Sequence, residues 1–380
     1  MRVSRAPGRV NLIGEHIDYN GLPVLPMALD REIVLRFRPR SDARVILRNT
    51  DSRFQPTEFE ASADIPKAPA GAWGNYPRAA AQILWRETGP LTGLEGEISS
   101  NLPAAAGLSS SSALVVATAL ALLDSIGREV PRNQLMAMLA RGERYVGLAG
   151  GGMDQAISLG GRSGHAMRID FRPSVSLTSV PVPDDWRIIV ASSMVEAAKS
   201  AGARDAYNSR VAECRSALEL VATRGLGIDP PADYHELLGR VPAAELLEPA
   251  RAVLPELLYR RFRHVVTEAV RVAEAEESLR RADLASFGRL LQASHASLRD
   301  DYEVSGPELD QLVSIAVGAG AAGARLTGAG FGGAILAVAS AGDAPHVIET
   351  LRREFYEPRR VASLNEVLFP VEPSAGASVG

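Results

Sequence analysis

The sequence predicts an α+β protein with mixed sheets, divided into two domains. The chain has 380 residues, of which 46% are apolar, and this is enough to fill two cores of ordinary size. Short β-type runs, interrupted by helical segments, dominate the first half, whereas long helical stretches dominate the second. This succession is typical of an α+β fold and differs from the regular alternation of an α/β fold.

The first half is predicted to contain both strands and helices. Strands are predicted at VSRAPGRVNLIG, EIVLRFRP, RVILRN, LEGEISS, HAMRIDF, SLTSVPV and RIIVASS. Helices are predicted at WGNYPRAAAQILWRETG, SSSSALVVATALALLDSIG and PRNQLMAMLARGERYVG. The first helix stops at Gly89 and Pro90, the second begins with serines, which cap helices well, and the third begins with Pro131, a good first-turn residue.

The second half is predicted to be mainly helical. Helical patterns cover ARDAYNSRVAECRSALELVATRG, ELLYRRFRHVVTEAVRVAEAEESLRR and LASFGRLLQASHASLRDDY, and strand character returns at ARLTGAGFGGAILAVAS. The run VPVPDD interrupts the pattern near residues 181–185. We therefore predict an N-terminal domain over residues 1–182 and a C-terminal domain over residues 183–380.

Composition argues against several classes of function. The formal charge is −4, without the basic excess of a nucleic-acid-binding surface. The single cysteine, Cys214, excludes an internal disulfide and a multi-cysteine metal site. No run approaches 18 uncharged apolar residues, and the N-terminus shows no apolar signal region. We expect a cytoplasmic monomer that binds neither nucleic acid nor membranes.

A run of four serines marks a candidate phosphate site in LPAAAGLSSSSAL, residues 102–114. A turn ending at Gly107 leads into the serines and then into an Ala/Leu helix. The amino end of a helix carries free N–H groups and a partial positive charge, so it binds anions. A hydroxyl beside a phosphate is also a suitable Mg²⁺ ligand. One serine would usually be a helix cap, but four after a small-residue turn favour the phosphate interpretation.

Two further glycine-rich segments are open to two interpretations each. GLAGGGMDQAISLGG (147–161) places Asp154 just after three glycines, either as a helix cap or as a catalytic group on a loop. GARLTGAGFGGAILAV (323–338) forms either a tight hairpin or a backbone that closely approaches a ligand. Neither of the two lysines, Lys67 and Lys199, follows a glycine, so a P-loop is absent, and the protein-kinase signatures are absent too.

The N-terminal segment APGRVNLIGEHIDYNG (6–21) concentrates polar residues after a strand that ends at Gly14. Glu15, His16 and Asp18 could together bind several hydroxyls, which is what a sugar presents. Arg9 lies inside the apolar strand, where an unpaired charge is costly, and therefore needs a carboxylate or phosphate partner. The alternative is a surface loop with one salt bridge.

With these residues in view, the chain resembles galactokinases of the GHMP kinase superfamily. The resemblance rests on GRVNLIGEHIDYNG, LPAAAGLSSSSAL, GGGMDQAISL, GARLTGAGFGGA, SHASLRDDYEVSGPELDQLV and WGNY, which occur in family order along nearly the whole chain. It implies a two-lobed GHMP kinase fold with mixed sheets and helices and with the active site between the lobes. Ala105 stands where the family's phosphate loop often has glycine.

The resemblance also implies roles for individual residues. Arg9 and Asp154 would flank the reacting hydroxyl, and Ser111 and Glu143 would bind Mg²⁺. The sugar would be held by Glu15, His16, Asp18, Gly151 and Tyr207. ATP would be bound by Trp73, next to the adenine, and by Ala105, Ala106, Gly107, Leu108, Ser109, Ser110 and Ser111.

The implied activity is ATP-dependent phosphorylation of the anomeric hydroxyl of galactose, with Mg²⁺ as cofactor. N-acetylgalactosamine is an alternative substrate, because GERYVGLAGGGMDQ and NSRVAECRSALEL are similar to kinases of that sugar. Tyr207 matches the galactose enzymes instead. Other GHMP kinases act on mevalonate, homoserine or other sugars. Some relatives are sensors without turnover, but these lose residues in the serine motif, which is complete here.

Overall fold

The computed structural model describes residues 1–103, 107–147, 150–195 and 201–380. Within these ranges the strands are β1 (Arg2–Asn11), β2 (Pro26–Pro39), β3 (Arg44–Asn49), β4 (Thr57–Glu60), β5 (Leu94–Ser100), β6 (His165–Asp170), β7 (Ser176–Pro181), β8 (Trp186–Ser192), β9 (Gly323–Thr327), β10 (Ala334–Ser340), β11 (Leu368–Val371) and β12 (Ser378–Val379). Every strand predicted above is present. The short strands β4, β11 and β12 were not predicted.

The helices of the same ranges are α1 (Asn75–Thr88), α2 (Ser110–Ser125), α3 (Arg132–Gly142), α4 (Met153–Gly160), α5 (Ala201–Leu220), α6 (Tyr234–Arg240), α7 (Ala243–Val253), α8 (Glu256–Arg280), α9 (Leu284–Asp300), α10 (Pro307–Gly318), α11 (Ala344–Leu351) and α12 (Leu364–Val367). Short turns of 3₁₀ helix cover Asp18–Asn20 and Glu143–Val146. The six predicted helices are present as α1, α2, α3, α5, α8 and α9. Both strands and helices occur in each half, which confirms the α+β class.

The first sheet has six strands in the order β12-β1-β2-β5-β3-β4. It is mixed, because β3 pairs with β5 in parallel and the other pairs are antiparallel. Helix α2 lies across β1 and β2 and also contacts α1 and α4. Residues 112–123 of α2 are all buried, which explains why this Ala/Leu-rich helix is apolar all round.

The second sheet is antiparallel, with four strands in the order β11-β8-β10-β9. All five residues of β9 are buried, which means that both faces of this strand are covered. Helices α9 and α10 pack on β9, and α11 packs on β10 and β8. A separate hairpin is formed by β6 and β7.

The predicted domain boundary at residue 182 falls in the connection between β7, which ends at Pro181, and β8, which begins at Trp186. The division into two domains stays a prediction. The last strand, β12, returns to the first sheet and pairs with β1. In the part of the chain that the structure describes, no helix combines the length and the apolar character needed to cross a membrane.

Candidate active site

A cavity of about 380 Å³ opens where the polar and glycine-rich segments of the sequence meet. This volume lies within the range of roughly 300–1,000 Å³ that is common for small-molecule sites. The lining includes Arg9, Glu15, His16, Asp18, Lys67, Asn75, Tyr76, Ser111, Ser112, Glu143, Gly150, Gly151, Asp154, Arg204, Tyr207, Gly328, Ala329 and Phe331. Segments far apart in the sequence thus share one pocket.

Arg9 and Asp154 form a two-pronged ion pair in this cavity. The Nε of Arg9 donates to Oδ1 of Asp154 at 2.7 Å, and its Nη2 donates to Oδ2 at 3.0 Å. A third bond runs from Nη1 to the carbonyl of Gly107 at 2.7 Å. A β-bulge between Pro7 and Arg9 interrupts the pairing of β1 with β2 at this point, as bulges beside active sites often do. The buried guanidinium therefore has the carboxylate partner that its position in β1 required.

The serines at the start of α2 do not cap this helix. Ser109, at the N-cap position, has a left-handed backbone (φ 58°) and makes no capping bond. Its hydroxyl donates instead to Oδ2 of Asp154. The hydroxyl of Ser112 donates to Oε1 of Glu143 at 3.0 Å. Ser109 and Ser112 thus direct their hydroxyls to carboxylates of the cavity, and the N-cap residue makes no side-chain bond to the first turn of α2. This geometry does not support the alternative interpretation of the serines as helix caps.

Glu143 is a half-buried carboxylate on the turn that follows α3. Burial, together with the negative charge of Asp154, raises its pKa to about 7. The described ionisable groups that act on it most strongly are Asp154 and Asp18, which are also acidic. A bound divalent cation would offset this charge, so the residues present fit a Mg²⁺ ion. The described residues contain no cluster of three protein ligands, but Mg²⁺ beside phosphates commonly uses only one or two carboxylates.

Glu15 faces the fully buried Arg325 of β9. Its Oε1 accepts a hydrogen bond from the amide of Gly328 at 2.5 Å and lies 3.6 Å from Nη2 of Arg325, and its Oε2 accepts from Nδ2 of Asn11. Arg325 in turn donates to the carbonyls of Asn11 and Leu12. Burial raises the pKa of Glu15, against the charges of Arg325 and Arg9. This carboxylate therefore ties the third glycine segment to the first polar segment.

His16 is engaged within the protein at both ring nitrogens. Its Nε2 lies 3.1 Å from the carbonyl of Ala329, and its Nδ1 lies 3.0 Å from the hydroxyl of Tyr19. Burial lowers its pKa to about 3, so the ring is neutral. The ring of Tyr207 packs 5.6 Å from His16 and 5.5 Å from Tyr19, centroid to centroid.

Asp18 and Gly151 join the first polar segment to the segment that carries Asp154. An Oδ2 of Asp18 accepts from the amide of Met153 at 3.5 Å, and burial, with Asp154 nearby, raises the pKa of Asp18 to about 6. A Cβ at Gly151 would overlap the backbone of Asp18 and Tyr19. Only glycine allows this close approach, which explains the residue type.

The remaining residues predicted to bind ATP are less closely grouped. Trp73 donates its indole N–H to the carbonyl of Gln55 at 2.8 Å. Within the run WGNY (73–76), Asn75 and Tyr76 line the cavity. Leu108 is buried in the core. Ser110 begins α2 and Gly107 receives the bond from Arg9. Ala105 and Ala106 lie outside the described residues.

Comparison with known proteins agrees with this geometry. Three family descriptions match: "GHMP kinases N terminal domain" at residues 75–162, "Galactokinase galactose-binding signature" at residues 2–39 and "GHMP kinases C terminal" at residues 275–357. The galactokinase of Chloroflexus aurantiacus is 40% identical over 345 residues, which are 90% of this chain and 84% of that one. The human galactokinase is 39% identical over 362 residues, 92% of this chain and 86% of that one.

The chain belongs to the galactokinase family. The crystal structure of a Lactococcus lactis galactokinase complexed with galactose superimposes with a TM-score of 0.88 at 31% identity, covering 99% of this chain and 94% of that chain. Both the resemblance noted in the motifs and the GHMP kinase fold are therefore confirmed.

Sequence reasoning gave no site role to several residues in or beside this cavity. Lys67 and Arg204 line the cavity, and Arg325 and Tyr302 contact residues that line it. A signal existed for Arg325, because it stands inside the apolar run of β9, as Arg9 stands inside β1, and a charge in such a place needs a partner. No comparable local signal marks Lys67 or Arg204, whose position at the cavity depends on the fold.

Proposed function

We propose that this protein transfers the γ-phosphoryl group of ATP to the anomeric hydroxyl of galactose. The observation that carries the proposal is the Arg9–Asp154 pair, which lies in the cavity between the polar loop of residues 15–18 and the uncapped amino end of α2. Family membership supports the same activity. On one side of the Arg9–Asp154 pair lie groups that can bind the hydroxyls of a sugar. On the other side lies a helix end that can bind the phosphates of ATP.

Asp154 is the proposed catalytic carboxylate. Arg9 and Ser109 fix both of its oxygens by donating three hydrogen bonds to them. Asp154 orients the anomeric hydroxyl and takes up its proton as the new O–P bond forms and the bond from phosphorus to the leaving ADP oxygen breaks. Phosphoryl transfer depends mainly on alignment and on charge stabilisation, which a rigidly held carboxylate beside a guanidinium provides.

The phosphate side is proposed to consist of the amino end of α2 and a magnesium site. The first-turn amides of α2 have no side-chain cap and can bind phosphate oxygens. Glu143 and Ser111 would hold the Mg²⁺ ion, and Ser112 would orient Glu143 through its hydrogen bond. When bound, Mg²⁺ neutralises charge on the phosphate oxygens. The adenine would lie near Trp73, where Asn75 and Tyr76 form the wall.

The sugar side is proposed to use Asp18, Tyr207 and Gly151 for contacts with the substrate. Glu15 and His16 also border this space, but their hydrogen bonds run largely within the protein. We therefore assign them mainly to holding the loops around the sugar. One chain supplies both sides of the site, which supports a monomer, and we propose that it acts in the cytoplasm.

A coupled assay of ADP release tests the proposed function. The unmodified protein, with ATP and Mg²⁺, is offered galactose, N-acetylgalactosamine, glucose, arabinose and mevalonate in turn, and NMR of the product locates the phosphate. We expect the highest kcat/KM with galactose and a phosphate on its anomeric oxygen. A preference for N-acetylgalactosamine or mevalonate would show that galactose is not the main substrate. Galactose binding without ADP release would indicate a sensor.

A further inference from the structure

The run SHASLRDDYEVSGPELDQLV (294–313) carries part of the family resemblance, but no role has been given to it so far. Its central residue, Tyr302, is fully buried and contacts His16, which lines the cavity. Its ring packs between two histidines, with centroids 4.8 Å from His16 and 4.4 Å from His264. Its hydroxyl lies 2.6 Å from that of Tyr19 and 3.0 Å from Sγ of Cys214.

These contacts form a hydrogen-bond chain that has one allowed direction. The carbonyl of Ala329 can only accept, so Nε2 of His16 carries the proton and donates to it. The neutral ring then leaves Nδ1 as an acceptor for the hydroxyl of Tyr19. The hydroxyl of Tyr19 donates its single proton to His16, so it must accept a hydrogen bond from the hydroxyl of Tyr302. The hydroxyl of Tyr302 in turn accepts from the thiol of Cys214.

The protonation states agree with this direction. Burial raises the pKa of Tyr19 and Tyr302 well above the usual value and that of Cys214 to about 12, so all three groups keep their protons. Burial, together with His264, holds His16 neutral by lowering its pKa. The positive charges of Arg210 and Arg325, on neighbouring elements, lower the pKa of His16 further.

Tyr302 also connects the walls of the cavity through the backbone. Its carbonyl accepts from Nε of Arg210 at 2.8 Å, and Arg210 lies one turn beyond Tyr207 on α5. Two residues later, the carbonyl of Val304 accepts from the amide of Phe331 at 2.8 Å. The segment 302–304 thus contacts the first polar loop, helix α5 and the third glycine segment.

We propose that Tyr302 is a positioning residue for the sugar site, acting through Tyr19 and His16 on the loop that faces the substrate. This inference rests on the proposed function, because it assumes that the sugar binds on that side of the cavity. On this proposal, the run 294–313 supports sugar binding and takes no part in ATP binding.

The test compares Tyr302→Phe with Tyr356→Phe. Tyr356 is also buried, and its hydroxyl donates to the carbonyl of Ser192 at 2.7 Å. Neither Tyr356 nor Ser192 lines the cavity, so Tyr356→Phe is a matched control. Tyr302→Phe removes the hydroxyl that donates to Tyr19 and accepts from Cys214. Loss of the bond to Tyr19 should raise the galactose KM about tenfold, while kcat and the ATP KM stay within about twofold. Tyr356→Phe should lower the melting temperature to a similar extent with an unchanged galactose KM.

A double-mutant cycle with Tyr19→Phe separates positioning from general loosening. If Tyr302 acts through Tyr19, the galactose KM of the double variant should be no higher than that of Tyr19→Phe alone. Equal galactose KM values for Tyr302→Phe and Tyr356→Phe, in a protein with normal activity, would overturn this inference alone. An unmodified protein that phosphorylates none of the sugars would overturn the proposed function and this inference together.

Discussion

The guanidinium of Arg9 holds the carboxylate of Asp154 through two hydrogen bonds, of 2.7 and 3.0 Å, across 145 positions of sequence. Ser109 adds a third bond to the same carboxylate. The three residues come from β1, the amino end of α2 and the first turn of α4. The carboxylate that we propose to be catalytic is thus held by β1 and by two helices, α2 and α4, that pack on β1.

Asp154→Asn should nearly abolish turnover while the galactose affinity is largely retained. The amide keeps the shape of the side chain but cannot take up a proton, and loss of an acid–base group lowers kcat by about 10²- to 10⁴-fold. Steady-state kinetics and calorimetric titration with galactose measure the two effects. Asp124→Asn, in an exposed ion pair with Arg2, is the control and should change little. A wild-type rate for Asp154→Asn would remove its catalytic role.

Glu143 should make Mg²⁺ binding depend on pH. Its pKa in the folded protein is raised to about 7, so without metal it is protonated below that pH. Stability should therefore fall as the pH rises from the pKa of Glu143 in the unfolded chain towards 7. Mg²⁺ binds the ionised form, so its stabilising effect should grow across this range. Thermal denaturation with Mg²⁺ and a non-hydrolysable ATP analogue, at about pH 6 and about pH 8, measures it.

Glu143→Gln is the matched variant for this pH dependence. It keeps a hydrogen-bond acceptor for Ser112 but carries no charge. The Mg²⁺-dependent shift in melting temperature should become small and equal at the two pH values. A pH-dependent shift that persists unchanged in Glu143→Gln would place the magnesium ligand elsewhere.

Arg325→Met should strongly destabilise the protein. Arg325 is fully buried beside Glu15, and removing one partner of a buried ion pair costs about 3–5 kcal/mol, because it leaves the other charge without compensation. Urea denaturation gives the free energy of unfolding. The double variant with Glu15→Gln should recover part of the loss, whereas strictly additive losses would show that the two side chains are not coupled. Arg215→Met, in an exposed pair with Glu219, is the control.

Alanine at Gly288 and at Gly318 should have opposite effects on stability. Gly288 of α9 packs directly on β9, and a Cβ there would overlap the backbone of Ala322. Nothing lies within 4 Å of a Cβ at Gly318, near the end of α10. Gly318→Ala should therefore stabilise the protein by up to about 1 kcal/mol, whereas Gly288→Ala should destabilise it by several times that amount. Melting temperatures of the two variants check the contrast, and a neutral Gly288→Ala would contradict the close packing of α9 on β9.

Local patterns in the amino-acid sequence were enough to predict the α+β class, the main helices and strands, and the segments that line the cavity. These features depend on local chemistry: apolar periodicity, the small-residue turn before α2 and charged or glycine residues in otherwise apolar runs. Arg9 is an example, because a charge inside a strand requires a partner wherever the rest of the chain lies. The motif resemblance added the family and the candidate roles of the site residues.

Which distant residues contact each other became known from the folded structure. The sequence does not show that Ser109 bonds to Asp154 instead of capping α2, or that β12 returns to pair with β1. Nor does it show that Tyr302 bonds to Tyr19, which bonds to His16. In each case two groups far apart in the chain satisfy each other's hydrogen bonds. Such partners are selected by packing and by the cost of burying an unpaired polar group. Both depend on the whole fold and cannot be inferred from the neighbouring residues in the sequence.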